Sequence, residues 1–178
     1  MKKIILSIGL LSIAFIINSC DSEPVDSELL DLVNNPVEGV EGNYIMTSFH
    51  SSEAVDINGD NTSSNELMDE TNCFTGNYLI INSDNTFQAS SKGVDIEIVG
   101  STETITCYTD PIITGTWQQI DNKLYVTYID EGDEYTDVFT INGNKLTQTE
   151  PNGSVVGTDS NGNPAYLTAN LTIVYTKN

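Results

Sequence analysis

From residue 42 to residue 178 the chain is a succession of short runs in which apolar and polar residues alternate, separated by clusters of Asn, Asp, Gly and Ser. No helical period occurs in this stretch, so nothing is available to cross over between parallel strands. That pattern constrains the fold more than any other feature. The runs cover residues 43–49, 78–82, 86–90, 95–99, 102–108, 113–120, 123–129, 135–141, 145–150 and 165–177. Ser83-Asp84-Asn85, Gly100-Ser101 and Asp121-Asn122 separate neighbouring runs, and Asn142-Gly143 is the strongest hairpin signal, because both residue types tolerate positive φ. Short strands joined by tight turns predict an antiparallel up-and-down meander of eight to ten strands. A meander of that size has two edges to protect, and closing into a barrel removes them. The strands 43–49 and 165–177 are then the closing pair; an open sandwich is the alternative. One face of each strand is apolar. Leu124, Val126 and Tyr128 share a face, as do Leu171, Ile173 and Tyr175, and on the first strand Tyr44, Met46 and Ser48 line up.

The N-terminus has a different character. Met1-Lys2-Lys3 is a short basic start, residues 4–17 are almost wholly apolar, and Asn18-Ser19-Cys20 follows. As a helix the apolar run reaches roughly 21 Å, short of the ~30 Å hydrocarbon core, so it reads as a secretory signal peptide over residues 1–19 rather than a membrane span. Cys20 directly after it resembles the lipobox of bacterial lipoproteins. That resemblance implies cleavage before Cys20, acylation of its thiol with chains such as palmitate, and a domain anchored by lipid. Cleavage by an ordinary signal peptidase nearby is the alternative. Residues 20–41 form an acidic tether punctuated by Pro24 and Pro36, with a short N-terminal helix expected over residues 28–33 behind the cap Ser27. Residues 42–178 form the domain.

The chain carries 26 acidic residues against six basic ones, a formal charge of −20 at pH 7, and it has no arginine. A nucleic-acid groove or a charge-driven contact with anionic lipid needs clustered cations, so both are excluded. With Cys20 assigned to lipid, Cys73 and Cys107 remain as a pair. In an exported protein a disulfide between them is expected, with two free buried thiols as the alternative.

The order of the remaining signals points to a family. Gly42-Asn43-Tyr44 opens the first strand, Cys73 precedes a strand, and the turn 82–87 reads Asn-Ser-Asp-Asn-Thr-Phe. Cys107 precedes Gly115-Thr116-Trp117, and Asn122-Lys123-Leu124-Tyr125-Val126 follows. Over roughly residues 40–177 the chain resembles the lipocalin-like lipoproteins of Gram-negative bacteria. The resemblance implies a lipocalin-like barrel, an outer-membrane or cell-surface location, and a binding role rather than an activity. Tyr44 stands where relatives usually carry Trp, and the insert between Ser51 and Asn72 is long.

Residues 56–66 begin like a calcium loop, with Asp56, Asn58, Asp60, Thr62 and Glu66 offering oxygens at alternate positions and Asp69 and Glu70 nearby. A weak Ca²⁺ site is one expectation; a solvated loop of Asx-turns is the other. Residues 130–134 form an acidic hairpin tip that reads as solvated. Trp117 and the eight tyrosines either line a pocket or pack the core. His50 is the single histidine, which argues against a zinc site or a catalytic triad. No nucleophile elbow or phosphate loop occurs, and no carboxylate pair stands out, so no enzymatic activity is expected. The reading is a monomeric, lipid-anchored barrel that binds a small, partly apolar molecule. An interaction module with a filled core is the alternative.

Overall fold

The computed structural model describes residues 39–178. The signal peptide, Cys20 and the helix expected at 28–33 lie outside the described residues.

Among the described residues there are eleven strands: β1 (Gly42–Val55), β2 (Ser64–Glu66), β3 (Tyr78–Ile81), β4 (Thr86–Ser90), β5 (Lys92–Val99), β6 (Thr102–Thr109), β7 (Ile113–Ile120), β8 (Lys123–Asp130), β9 (Asp133–Asn142), β10 (Lys145–Thr158) and β11 (Pro164–Lys177). A one-turn helix α1 (Leu67–Glu70) and a 3₁₀ turn (Asn72–Phe74) follow β2. The sheet order is β11-β10-β9-β8-β7-β4-β3-β1-β2, and β11 also pairs with β1. Eight antiparallel strands therefore close into a barrel, with first and last strands paired from Tyr44↔Lys177 to Ser51↔Leu171. Closure leaves no barrel edge unpaired. The hairpin β5-β6 is a separate two-stranded sheet outside the barrel wall.

Three local details differ from the sequence reading, each for a physical reason. β1 carries a bulge between Met46 and Ser48, where Thr47 is the extra residue. A bulge shifts the period-two alternation by one, so Phe49, opposite Ile173, takes the inward place expected of Ser48. The β9-β10 turn is centred on Gly143-Asn144, because Asn142 pairs with Lys145; only Gly143 needs positive φ (58°). β10 continues past Pro151 through a bulge between Glu150 and Gly153, with Asn152 at φ 57°, where Pro-Asn-Gly reads locally as a stop.

The interior divides into two apolar groups. Tyr44, Leu79, Ile81, Phe87, Leu124, Val126, Phe139 and Leu146 fill one end, capped by Val40. This end is sealed by polar ties: the Tyr44 hydroxyl donates to the Val40 carbonyl at 2.8 Å, and Trp117 Nε1–H donates to the Asn82 carbonyl at 2.8 Å. At the other end Met46, Val55, Ile57, Leu67, Phe74, Val155, Ala169 and Leu171 form a second group, against which Val94 and Ile105 of the hairpin pack. Here β1, β10 and β11 run on beyond the barrel, and the insert folds down as β2, α1 and the 3₁₀ turn.

Candidate functional site

A cleft of about 680 Å³ opens at this second end, between the β5-β6 hairpin and the extended arms of β10 and β11. Alternation along the strands explains its floor. Phe49 of β1 and Ile173 of β11 face inward as a register pair. Val155 and Val156 come from the part of β10 beyond its bulge, Leu67 from α1, Phe74 from the 3₁₀ turn, and Val94 from β5. Phe49 and Phe74 meet edge to face, ring centroids 5.0 Å apart. The rim is polar: Ser91, Lys92, Asp95, Tyr108, Asp110, Ser154 and Tyr166.

Because the hairpin takes no place in the barrel ladder, other bonds hold it over the cleft. Cys73 and Cys107 form a disulfide, Cα to Cα 5.2 Å, that joins the 3₁₀ turn to β6. The buried Asn77 grips the base of the hairpin twice, donating from Nδ2 to the Lys92 carbonyl at 2.9 Å and accepting from Lys92 N–H at 2.7 Å. Across the mouth the Tyr166 hydroxyl donates to Asp95 Oδ1. The Tyr108 ring packs against Gly93, where an added Cβ would sit 2.8 Å from its hydroxyl.

The rim electrostatics follow from these contacts. The Tyr166 hydroxyl, then the Ile96 N–H, hold the Asp95 carboxyl below the usual carboxylate range. Burial, then the charges of Asp110 and Asp95, push the Tyr108 phenol up. The Lys92 ammonium is drawn towards the Thr75 carbonyl, at 3.2 Å.

A second polar group sits in the barrel wall. Tyr128 and Tyr135 stack with centroids 5.8 Å apart, and the Tyr128 hydroxyl donates to Asp137 Oδ2 at 3.3 Å. Burial raises Asp137, while bonds from Tyr128 and Gln148 oppose that rise. Burial first, then the charge of Asp137, pushes both Tyr128 and Tyr175 up to about 12. For the deeply buried Tyr175 the consequence has a definite sign. Its folded value lies above the unfolded one, so the fold keeps this contribution below pH 10 and loses it as pH rises towards 12. A rise of that size corresponds to roughly 3 kcal/mol. Urea unfolding across this alkaline range should show that loss, and Tyr175→Phe should remove most of it.

The residues singled out from sequence are distributed as follows. Cys73 and Cys107 are joined. Asp56 is turned inward to its own loop, its Oδ1 accepting from Gly59 N–H at 2.6 Å and its Oδ2 from Asn61 N–H at 2.9 Å. Asn58 and Asp60 accept from the N–H groups of Asp60 and Thr62 in successive Asx-turns. Glu66 reaches away, accepting from the Ser48 hydroxyl at 2.5 Å and Phe49 N–H at 2.7 Å. Glu70 accepts from Ile57 N–H at 3.2 Å. Among the described residues no three His, Cys, Asp or Glu side chains gather in a group suited to a metal ion. Of Trp117 and the tyrosines, Tyr108 and Tyr166 reach the cleft, whereas Tyr44, Tyr128, Tyr175 and Trp117 pack in or against the core. His50 and the tip at residues 130–134 are exposed.

Sequence reasoning did not pick out Leu67, Phe74, Val94, Val155 and Val156 as a floor. The available signal was the apolar pair Val155-Val156 after Pro151-Asn152-Gly153, which marks a strand resuming rather than a loop.

No curated protein and no solved structure matches the chain. The family model of the lipocalin-like domain matches residues 40–148, from Val40 at the sealed end to the first part of β10; β11, which closes the barrel, lies beyond that stretch. The matched stretch is more than half of the chain and holds six of the eight barrel strands and the start of a seventh, so the protein belongs to the lipocalin-like domain family.

Proposed function

We propose that this protein is a non-enzymatic binding lipoprotein of the outer membrane or cell surface. It is held by acyl chains on Cys20, and its barrel takes a small, partly apolar molecule into the cleft beneath the β5-β6 hairpin. The cleft itself carries this reading. Its volume of about 680 Å³ falls within the ~300–1,000 Å³ typical of pockets that enclose a small molecule. Its floor is apolar, and a few polar groups ring the mouth, the arrangement that takes a hydrocarbon body and leaves a head in water. Each methylene transferred to such a floor contributes about 0.8 kcal/mol.

The solidly packed sealed end favours a second reading, an interaction module that uses its surface only. One variant separates the two. Val94→Trp places a large ring in the cleft from the half-buried face of β5. The expected result is a melting temperature close to that of the parent and affinity for a twelve-carbon amphiphile reduced about tenfold or more, roughly 1.4 kcal/mol. Tryptophan and tyrosine fluorescence titration reads both proteins. Equal affinity in parent and variant rules the cleft out.

A further inference from the structure

We propose that the cleft selects amphiphiles with a cationic head group, a substituted ammonium above all, over those with a carboxylate head. This rests on the cleft being a binding site and adds the class of its ligand.

The argument starts from the groups that meet a head at the mouth. Asp95 and Asp110 both stand on the rim, on opposite strands of the hairpin and its exit. Asp95 is held ionised by the Tyr166 hydroxyl and the Ile96 N–H, neither of which cancels its charge. Two phenol rings, Tyr108 and Tyr166, flank the carboxylates. The Tyr108 ring packs close against Gly93, where a Cβ would stand 2.8 Å from its hydroxyl, so glycine lets the ring sit beside the hairpin backbone at the mouth. Carboxylates beside aromatic rings suit an alkylammonium, whose charge is spread over methyl groups and whose hydration is weak. Among the described residues the one rim cation, Lys92, competes for an anionic head. Its ammonium is already directed to the Thr75 carbonyl, outside the hairpin, at 3.2 Å. A chain of formal charge −20 adds a long-range field of the same preference. A carboxylate head would therefore meet two like charges at the mouth and a repulsive field on approach.

Three probes of equal chain length test this below their micelle-forming concentrations: dodecyltrimethylammonium, its near-isosteric neutral analogue dodecyldimethylamine oxide, and dodecanoate. Titrations use the full acylated protein at mildly alkaline pH, in salt sufficient to screen the general field. The cationic probe should bind about tenfold more tightly than the neutral one, and dodecanoate more weakly than either. In the double variant Asp95→Asn, Asp110→Asn the ratio of cationic to neutral affinity should fall to about one, whatever the change in either affinity alone. Both positions are exposed, and a melting curve confirms that the variant is folded. Dodecanoate binding as tightly as the ammonium overturns the proposal, as does a cationic preference unchanged in the double variant. In both cases the cleft reading survives, because the neutral probe binds. Binding of none of the three probes overturns the cleft reading and this proposal together.

Discussion

Valine in place of Gly115 should destabilise the domain by about 3 kcal/mol or more, lowering the melting temperature by roughly 6–12 °C. Gly115 lies on β7, opposite Phe87 of β4 and Tyr128 of β8. A Cβ there would stand 2.1 Å from the Thr127 carbonyl oxygen and 2.7 Å from Phe87 Cε1. The first obstacle is backbone within the β7-β8 ladder, so it cannot swing aside as a side chain would. The second is a ring fixed in the packed core. Relief requires parting β7 from β8 or displacing Phe87, and either opens the filled end of the barrel. Alanine at Gly100 makes a useful contrast. Nothing lies within 4 Å of that position, and only its φ of 69° resists a side chain, at a cost of about 1–2 kcal/mol. Thermal melts of the two variants should differ clearly. A Gly115→Val protein as stable as the parent contradicts the packing described for this strand.

Removing the disulfide should have the second large effect, with a different signature. The bridge closes a loop of 34 positions between Cys73 and Cys107. In the chain-entropy model that constraint contributes about 3.8 kcal/mol by restricting the unfolded chain. The paired substitution Cys73→Ser, Cys107→Ser should lower stability by about that amount, read by urea unfolding. Its functional effect should exceed that of an equally destabilising core change, because the bridge is one of the few ties between the hairpin and the rest of the domain. The hairpin then hangs on Asn77 and the Tyr166–Asp95 bond. Its amide protons should exchange faster than those of the barrel, and ligand affinity should fall even where the domain is fully folded. Affinity that follows stability alone, as for Gly115→Val, would mean the hairpin plays no part in the site.

Much of this fold was legible in the residues, because antiparallel strands with one solvated face reveal themselves by alternation. All ten strands read from the pattern are present, and closure through the first and last strands followed from the need to protect edges. Gly115, read only as part of a family pattern, and Trp117, read also as a pocket or core residue, have local reasons: close approach to the Thr127 carbonyl for one and a bond to the Asn82 carbonyl for the other. The site was harder to see. Its floor is assembled from an insert, a strand beyond a bulge and a hairpin outside the barrel, and no local period records which of these meet. Thr47 and Asn152 shift the alternation in ways that only pairing reveals. In the Asp56 loop, whose spacing resembles a cation loop, the spacing did not reveal that the carboxylate bonds its own backbone amides or that Glu66 reaches β1.

The central claim is that the cleft under the hairpin holds a small, partly apolar molecule. Native mass spectrometry of the full-length protein, exposed to extract of its own host, addresses it most directly. The account predicts one bound small molecule per chain, absent from the Val94→Trp variant prepared in the same way. A parent protein that carries no bound mass, or a variant that carries the same mass, would contradict it.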